Sequence, residues 1–156
     1  MFYFTIVRHG QTTNNVAKIV QSRTGGELTP LGIEMAKSLG RHLKDEEFTR
    51  VFSSDLHRCQ QTTENIVSQL NKKPDTIQYT PMIRERDYGD WEFLSTEIEV
   101  KKRLEMNLPD NKKHHVDIPN GETYEDCKKR AGQFFSEILK IIDGAAENEG
   151  ENILRI

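Results

Sequence analysis

Cysteine is scarce in this sequence: Cys59 and Cys127 are the two in 156 residues, far apart and in no metal-ligand spacing. That excludes a disulfide framework and a cysteine-bound metal, and leaves reduced thiols of a cytosolic protein. Long apolar runs are missing as well. Nothing approaches the roughly 18 consecutive apolar residues of a membrane span. The opening Met1–Val7 has neither a basic leader nor a small-residue cleavage site, so it reads as a strand and not a signal peptide. An excess of positive charge is absent: 22 Lys and Arg stand against 25 Asp and Glu, for a formal net charge of −3. This argues against a nucleic-acid partner. It leaves room for a small anion, because a few arginines gathered at one place bind phosphate inside an acidic protein. With no internal repeat, low-complexity tract or linker, the chain is one domain of ordinary size.

What is there is an alternation of strand-like and helix-like stretches, the pattern of an α/β sandwich with a largely parallel sheet. Phe2–Val7 is a short apolar, aromatic and β-branched run, predicted as a buried strand that ends at Arg8-His9-Gly10. Thr29-Pro30 opens a helix, with Thr29 as cap and Leu31, Met35, Ala36, Leu39 and Leu43 as its apolar stripe. Strands are predicted at Arg50–Ser53 and Thr76–Thr80, with a helix between them carrying Leu56, Cys59, Ile66, Val67 and Leu70 inward. Thr96–Met106 reads as a short helix and Pro109–Pro119 as a polar loop holding His114 and His115. Glu122–Ile142 is predicted as the longest helix, followed by an acidic turn over Asp143–Glu151 and the start of a strand over Asn152–Ile156.

Three segments at strand ends carry side chains suited to phosphate chemistry, and open α/β sheets bind ligands at that end. The first is Arg8-His9-Gly10-Gln11-Thr12-Thr13-Asn14-Asn15. A neutral imidazole is a nucleophile, a guanidinium is a planar fork for phosphate oxygens, and glycine allows a sharp turn and close approach of an oxyanion. The second is Phe52-Ser53-Ser54-Asp55-Leu56-His57-Arg58, where Ser54 or Asp55 is expected to cap a helix whose first turn offers Arg58 to the same crevice. His57 has no evident partner and reads as structural or surface-exposed. The third is Arg84-Glu85-Arg86-Asp87-Tyr88-Gly89. A carboxyl close to bound phosphate stays protonated by like-charge repulsion and serves as a general acid. Each segment alone reads better as an ordinary turn, helix start or solvated loop.

Taken in order, the three segments resemble branch 1 of the histidine phosphatase superfamily, the phosphoglycerate-mutase-like family with an Arg-His-Gly motif. The likeness runs from Arg8 through Asn15, then Leu28–Gly32, Ser53–Leu56 with Arg58, Arg84-Glu85, Tyr88-Gly89 and finally Pro119–Thr123. It implies a three-layer α/β/α sandwich. It also implies His9 as the phosphohistidine, Arg8 and Arg58 as clamps on the phosphoryl oxygens, and Glu85 as proton donor. Asn15, Thr12 and Gln21 fall among the expected phosphate or substrate ligands, and Glu122-Thr123 matches a segment that borders the substrate. No metal or other cofactor is implied, since the arginines meet the charge. The implied partner is a small phosphorylated metabolite, a sugar phosphate or bisphosphate, in the cytoplasm. The short stretch between Gly89 and Pro119 is more similar to fructose-2,6-bisphosphatase-like phosphatases than to glycolytic mutases.

Two features depart from the family pattern. Gln21 is followed by Ser22, with Gly25-Gly26 before Glu27, where a glycine and a later aspartate are usual. The family's second catalytic histidine follows a late strand, and the sequence here ends within the matching strand, so a C-terminally truncated domain is expected. The functions expected are therefore a phosphatase, a mutase variant of it, or an impaired phosphate-binding module.

Overall fold

The computed structural model describes residues 2–107, 109, 115–148 and 154–155. Its organising pair is β2 (Arg50–Ser54) and β3 (Thr76–Thr80), parallel along their whole length from Arg50 opposite Thr76 to Ser54 opposite Thr80. Parallel strands need a crossover, and α3 (His57–Ser68) provides it. Successive side chains of a strand point to opposite faces. The Phe52 ring meets the edge of Phe134 on α5 (Tyr124–Asn148), with centroids 5.5 Å apart. The hydroxyl of its neighbour Ser53 accepts from Thr63 on α3 at 2.9 Å. Helices therefore cover both faces of β2, which makes the sandwich three layers deep. α2 (Pro30–His42) packs beside α3; Thr29 caps it by accepting from the amide of Gly32, and Pro30 occupies its first turn as predicted.

The first run departs from its prediction. Only β1 (Phe2–Tyr3) is regular strand, parallel to β4 (Leu154–Arg155). The next residues are extended toward solvent, with Ile6 95% exposed. The reason is what flanks them. A parallel strand is buried when neighbours lie at both edges. Here a cavity of about 470 Å³, walled by Phe4, Ile6, Val51, Phe52, Phe134 and Ile138, separates this run from β2. The described strands thus form two parallel pairs, β1–β4 and β2–β3.

The longest helix also differs from expectation, starting at Tyr124 and running to Asn148 through the predicted acidic turn. A single Gly144 costs a helix only about 1 kcal/mol, which the alanines after it offset. Before it, α1 (Thr13–Val16) is a single turn and α4 (Thr96–Glu105) is the predicted short helix, capped by Ser95. A second small core of Trp91, Val116 and Ile118, flanked by Tyr88 and Leu94, holds the segment after Glu85 in place. Of the two loop histidines, His115 lies against the Tyr124 ring with centroids 4.0 Å apart. His114 lies outside the described residues, as do the remaining residues of the last predicted strand.

Candidate active site

His9 follows the extended first run and is half-buried. Its Nδ1 lies 2.8 Å from the carbonyl oxygen of Gly10. A carbonyl only accepts, so Nδ1 carries the proton and the lone pair of the neutral ring is at Nε2. Burial pushes the His9 pKa below its ordinary value, the Gly10 carbonyl pulls it back, Arg58 and Arg8 lower it further, and Glu85 raises it. The balance favours the neutral, nucleophilic ring. The charges that shift His9 come from three separate stretches of chain.

The turn beneath His9 is built by close packing. A Cβ on Gly10 would stand 2.5 Å from the carbonyl oxygen of Gly32, so only glycine lets the first turn of α2 come this near. Glycine's smallness serves helix approach here. The amide of Gly10 donates to Thr62 Oγ1 at 3.0 Å, and that hydroxyl donates to the Arg58 carbonyl at 2.7 Å. Thr62 thereby ties the nucleophile's turn to the first turn of α3. It lies one helical turn beyond Arg58, and that i, i+4 spacing is the signal that could have marked it.

Arg58 is 2% exposed. Its Nη2 donates to the Ser22 carbonyl at 2.7 Å, and its Nε is buried with no partner. Among the described residues no carboxylate is paired with it. A buried guanidinium without a counter-ion is costly, and burial accordingly lowers its pKa. Arg8 is exposed beside the ring, with no ion pair among the described residues. Both guanidinium groups act on the His9 ring, each lowering its pKa.

Glu85 is exposed, its Oε1 accepting from the amide of Arg86 at 2.8 Å. The segment that carries it is pinned at both sides. Arg84 forms a bidentate pair with Asp55 at 2.6 and 2.5 Å, which pushes the Asp55 carboxyl below its ordinary pKa. This corrects the expectation that Ser54 or Asp55 caps α3: Asp55 is taken by a charge-assisted fork, stronger than a cap, and the N-cap is Leu56 with no side-chain hydrogen bond. On the other side Arg130 donates to the carbonyls of Met82 and Arg84 and forms a fork on Glu122 at 2.9 and 2.8 Å. Arg130, then the Asp87 amide and last the Arg23 charge hold the Glu122 carboxyl down to about 2 against the effect of burial. Glu122 is consumed in this brace.

The remaining predicted ligands form one hydrogen-bonded chain. Thr12 is fully buried; its hydroxyl donates to Gln21 Oε1 at 2.7 Å and accepts from the Asn15 amide at 3.1 Å. Gln21 Nε2 goes on to the Gly25 carbonyl at 3.1 Å. Asn15 Oδ1 accepts from the Thr12 amide, completing a capping box. Thr12 and Gln21 therefore order the loop and Asn15 faces outward. Ser22, unnoticed in the sequence as a functional residue, is fully buried. Its hydroxyl donates to the Arg86 carbonyl and accepts from the Tyr88 amide, joining the loop that holds Arg58 to the segment that carries Glu85. Among the described residues no cluster of His, Cys, Asp or Glu is arranged to hold a metal ion, and no helix is long and apolar enough to cross a membrane.

The fold is an α/β sandwich in which His9, Arg8 and Arg58 sit in the segments that follow β1 and β2. The chain belongs to the histidine phosphatase superfamily, branch 1, whose family model matches residues 4–151. It is 37% identical over 153 residues to the fructose-2,6-bisphosphatase TIGAR of Bos taurus, covering 95% of this chain and 55% of that protein. The chain thus spans about half the length of the curated relatives it matches. Among solved structures it is similar to the alpha-ribazole phosphatase of Shigella flexneri (TM-score 0.75, 27% identity, 99% of this chain and 71% of that one). It is also similar to the phosphoglycerate mutase of Bacillus anthracis (TM-score 0.77, 25% identity, 99% and 73%).

Proposed function

We propose that the domain hydrolyses a small phosphorylated metabolite, a sugar phosphate or bisphosphate, through a phosphohistidine at His9. The observation that carries this reading is the buried Arg58 guanidinium, which has a neutral carbonyl on one nitrogen and nothing on another. An anion delivered by the substrate supplies its missing counter-charge. His9 Nε2 attacks phosphorus in line with the ester oxygen, and a nitrogen–phosphorus bond forms as the ester bond breaks. Arg8 and Arg58 stabilise the charge on the equatorial oxygens, the usual source of catalysis in phosphoryl transfer. Protonated Glu85 gives its proton to the leaving alkoxide. Water, deprotonated by the resulting carboxylate, then attacks the phosphohistidine and releases inorganic phosphate and the neutral ring.

One relative is named for fructose-2,6-bisphosphate and another for alpha-ribazole phosphate, and we place the substrate among phosphate esters of ring-containing sugars. A cytoplasmic setting accompanies the reading, with Cys59 and Cys127 both free thiols. The decisive experiment follows acid-labile, base-stable phosphate on the protein together with phosphate released from a panel of sugar phosphates. Both signals are expected, and both vanish in His9→Ala. Phosphate shifted to a second hydroxyl of the substrate without release would make the domain a mutase. Phosphate or vanadate binding with neither signal would make it a binding module and end the hydrolase reading.

A further inference from the structure

Phe93 holds a backbone conformation that suits glycine, and it gains little burial in return. Its φ is +68°, a region where a bulky L-residue is strained. Yet its side chain is 59% exposed. The geometry is imposed from both sides. Phe93 N donates to the Val20 carbonyl at 3.1 Å and Val20 N to the Leu94 carbonyl at 2.8 Å. The preceding carboxylate, Glu92, accepts from the amides of Ser22 and Thr24 at 3.1 and 2.8 Å. Residues 92–94 are thus laced to the loop whose Ser22 carbonyl holds Arg58. Glycine would make this turn at no cost, so the side chain needs a reason outside the fold.

The direction of the ring supplies one. A Cβ built on Gly25 would stand 3.5 Å from Phe93 Cε1 and 3.2 Å from Asn14 Nδ2, so the ring edge lies over Gly25 and beside the residue preceding Asn15. Gly25 is bonded to Gln21, Gln21 to Thr12, and Thr12 to Asn15. The ring therefore stands over the loop of Gln21 and Ser22, whose Ser22 carbonyl holds Arg58. Gly25 carries no side chain to cover it.

We propose that Phe93 is a specificity-determining residue: its exposed ring is a platform for the non-phosphate part of the substrate and selects phosphomonoesters of ring alcohols over open-chain ones. The proposal rests on the phosphoester reading above and adds to it the recognition of the alcohol. A sugar or aryl ring offers an apolar face to an aromatic side chain, and such contacts change affinity by roughly 3- to 10-fold. The backbone lacing fixes the platform before the ligand arrives, so little ordering is lost on binding.

The test measures dissociation constants for p-nitrophenyl phosphate, glycerol 1-phosphate and inorganic phosphate by calorimetry. It uses a His9→Ala background, which prevents turnover, with Phe93, Phe93→Leu and Phe93→Gly. With Phe93 the aryl ester is expected to bind about 3- to 10-fold tighter than the glycerol ester. In Phe93→Gly that ratio falls to near one while the melting temperature rises, because the strain is gone; Phe93→Leu lies between. An aryl ester that binds no tighter than inorganic phosphate overturns the proposal. So does a Phe93→Gly protein that melts lower and loses all three ligands in proportion, which is what a packing residue does. Ring selectivity without hydrolysis of p-nitrophenyl phosphate by the His9 protein leaves the platform standing and sinks the phosphatase reading.

Discussion

The floor and the rim of the site are built in opposite ways. On the floor, Arg58, Ser22 and Thr62 are buried, and hydrogen bonds tie them to stretches of chain between 4 and 66 residues away. On the rim, Arg8, Glu85, Asn15 and Phe93 are exposed. The floor must be in place before a doubly charged group arrives, since fixed donors act without reorganising. In the proposed reaction the rim exchanges protons and admits the alcohol, and its exposure suits that role. The cost of preorganisation falls on the floor, where the Arg58 guanidinium is buried with no ion pair among the described residues.

That contrast breaks first at Glu85. Glu85→Gln removes the rim's proton donor and is expected to lower kcat by about 10²- to 10⁴-fold on sugar phosphates, whose alkoxides need a proton. The loss should be much smaller on p-nitrophenyl phosphate, whose leaving group departs unprotonated. Steady-state rates on both esters check this, and equal losses would mean that Glu85 does not donate the proton. Arg58→Met probes the floor. It should lower kcat on the order of 10²- to 10³-fold and, by deleting a buried unpaired charge, raise unfolding stability in the absence of ligand. Phosphate or vanadate should stabilise the parent protein against urea and not Arg58→Met. A variant less stable than the parent would show that the guanidinium is already compensated.

The smallest effect links the two regions through protons. The His9 pKa is held below its ordinary value, chiefly by burial. The neutral ring is the nucleophile, so kcat/KM should be flat through pH 6.5 and fall only at more acid pH, tenfold per unit below the His9 pKa. Arg8 contributes to that depression, so Arg8→Ala should move the acid limb toward higher pH as well as lowering the rate. A limb that moves the other way would remove Arg8 from the surroundings of the ring.

Much of the scaffold was legible along the chain. β2, β3, α2 and the start of α3 follow from short β-branched runs, an N-cap threonine and a helical stripe, signals that span only a few residues. The exposure of Ile6 and the cavity beside it were not legible, because burial of a strand depends on neighbours supplied from elsewhere. Asp55 shows the same limit: a capping residue by local rule, it is taken by Arg84, 29 positions away. Thr12 and Gln21 matched a ligand pattern, and the fold adds a hydrogen bond between their side chains that no local rule predicts.

Residue types and their order placed an imidazole, two guanidinium groups and a carboxyl at strand ends, and matched them to a family, because motif and periodicity are properties of adjacent residues. Three things came only with the folded chain. They are the proton on Nδ1 of His9, the missing counter-charge at Arg58 and the aim of the Phe93 ring. Each is set by a carbonyl, an absent carboxylate or a backbone turn whose position depends on how distant segments pack.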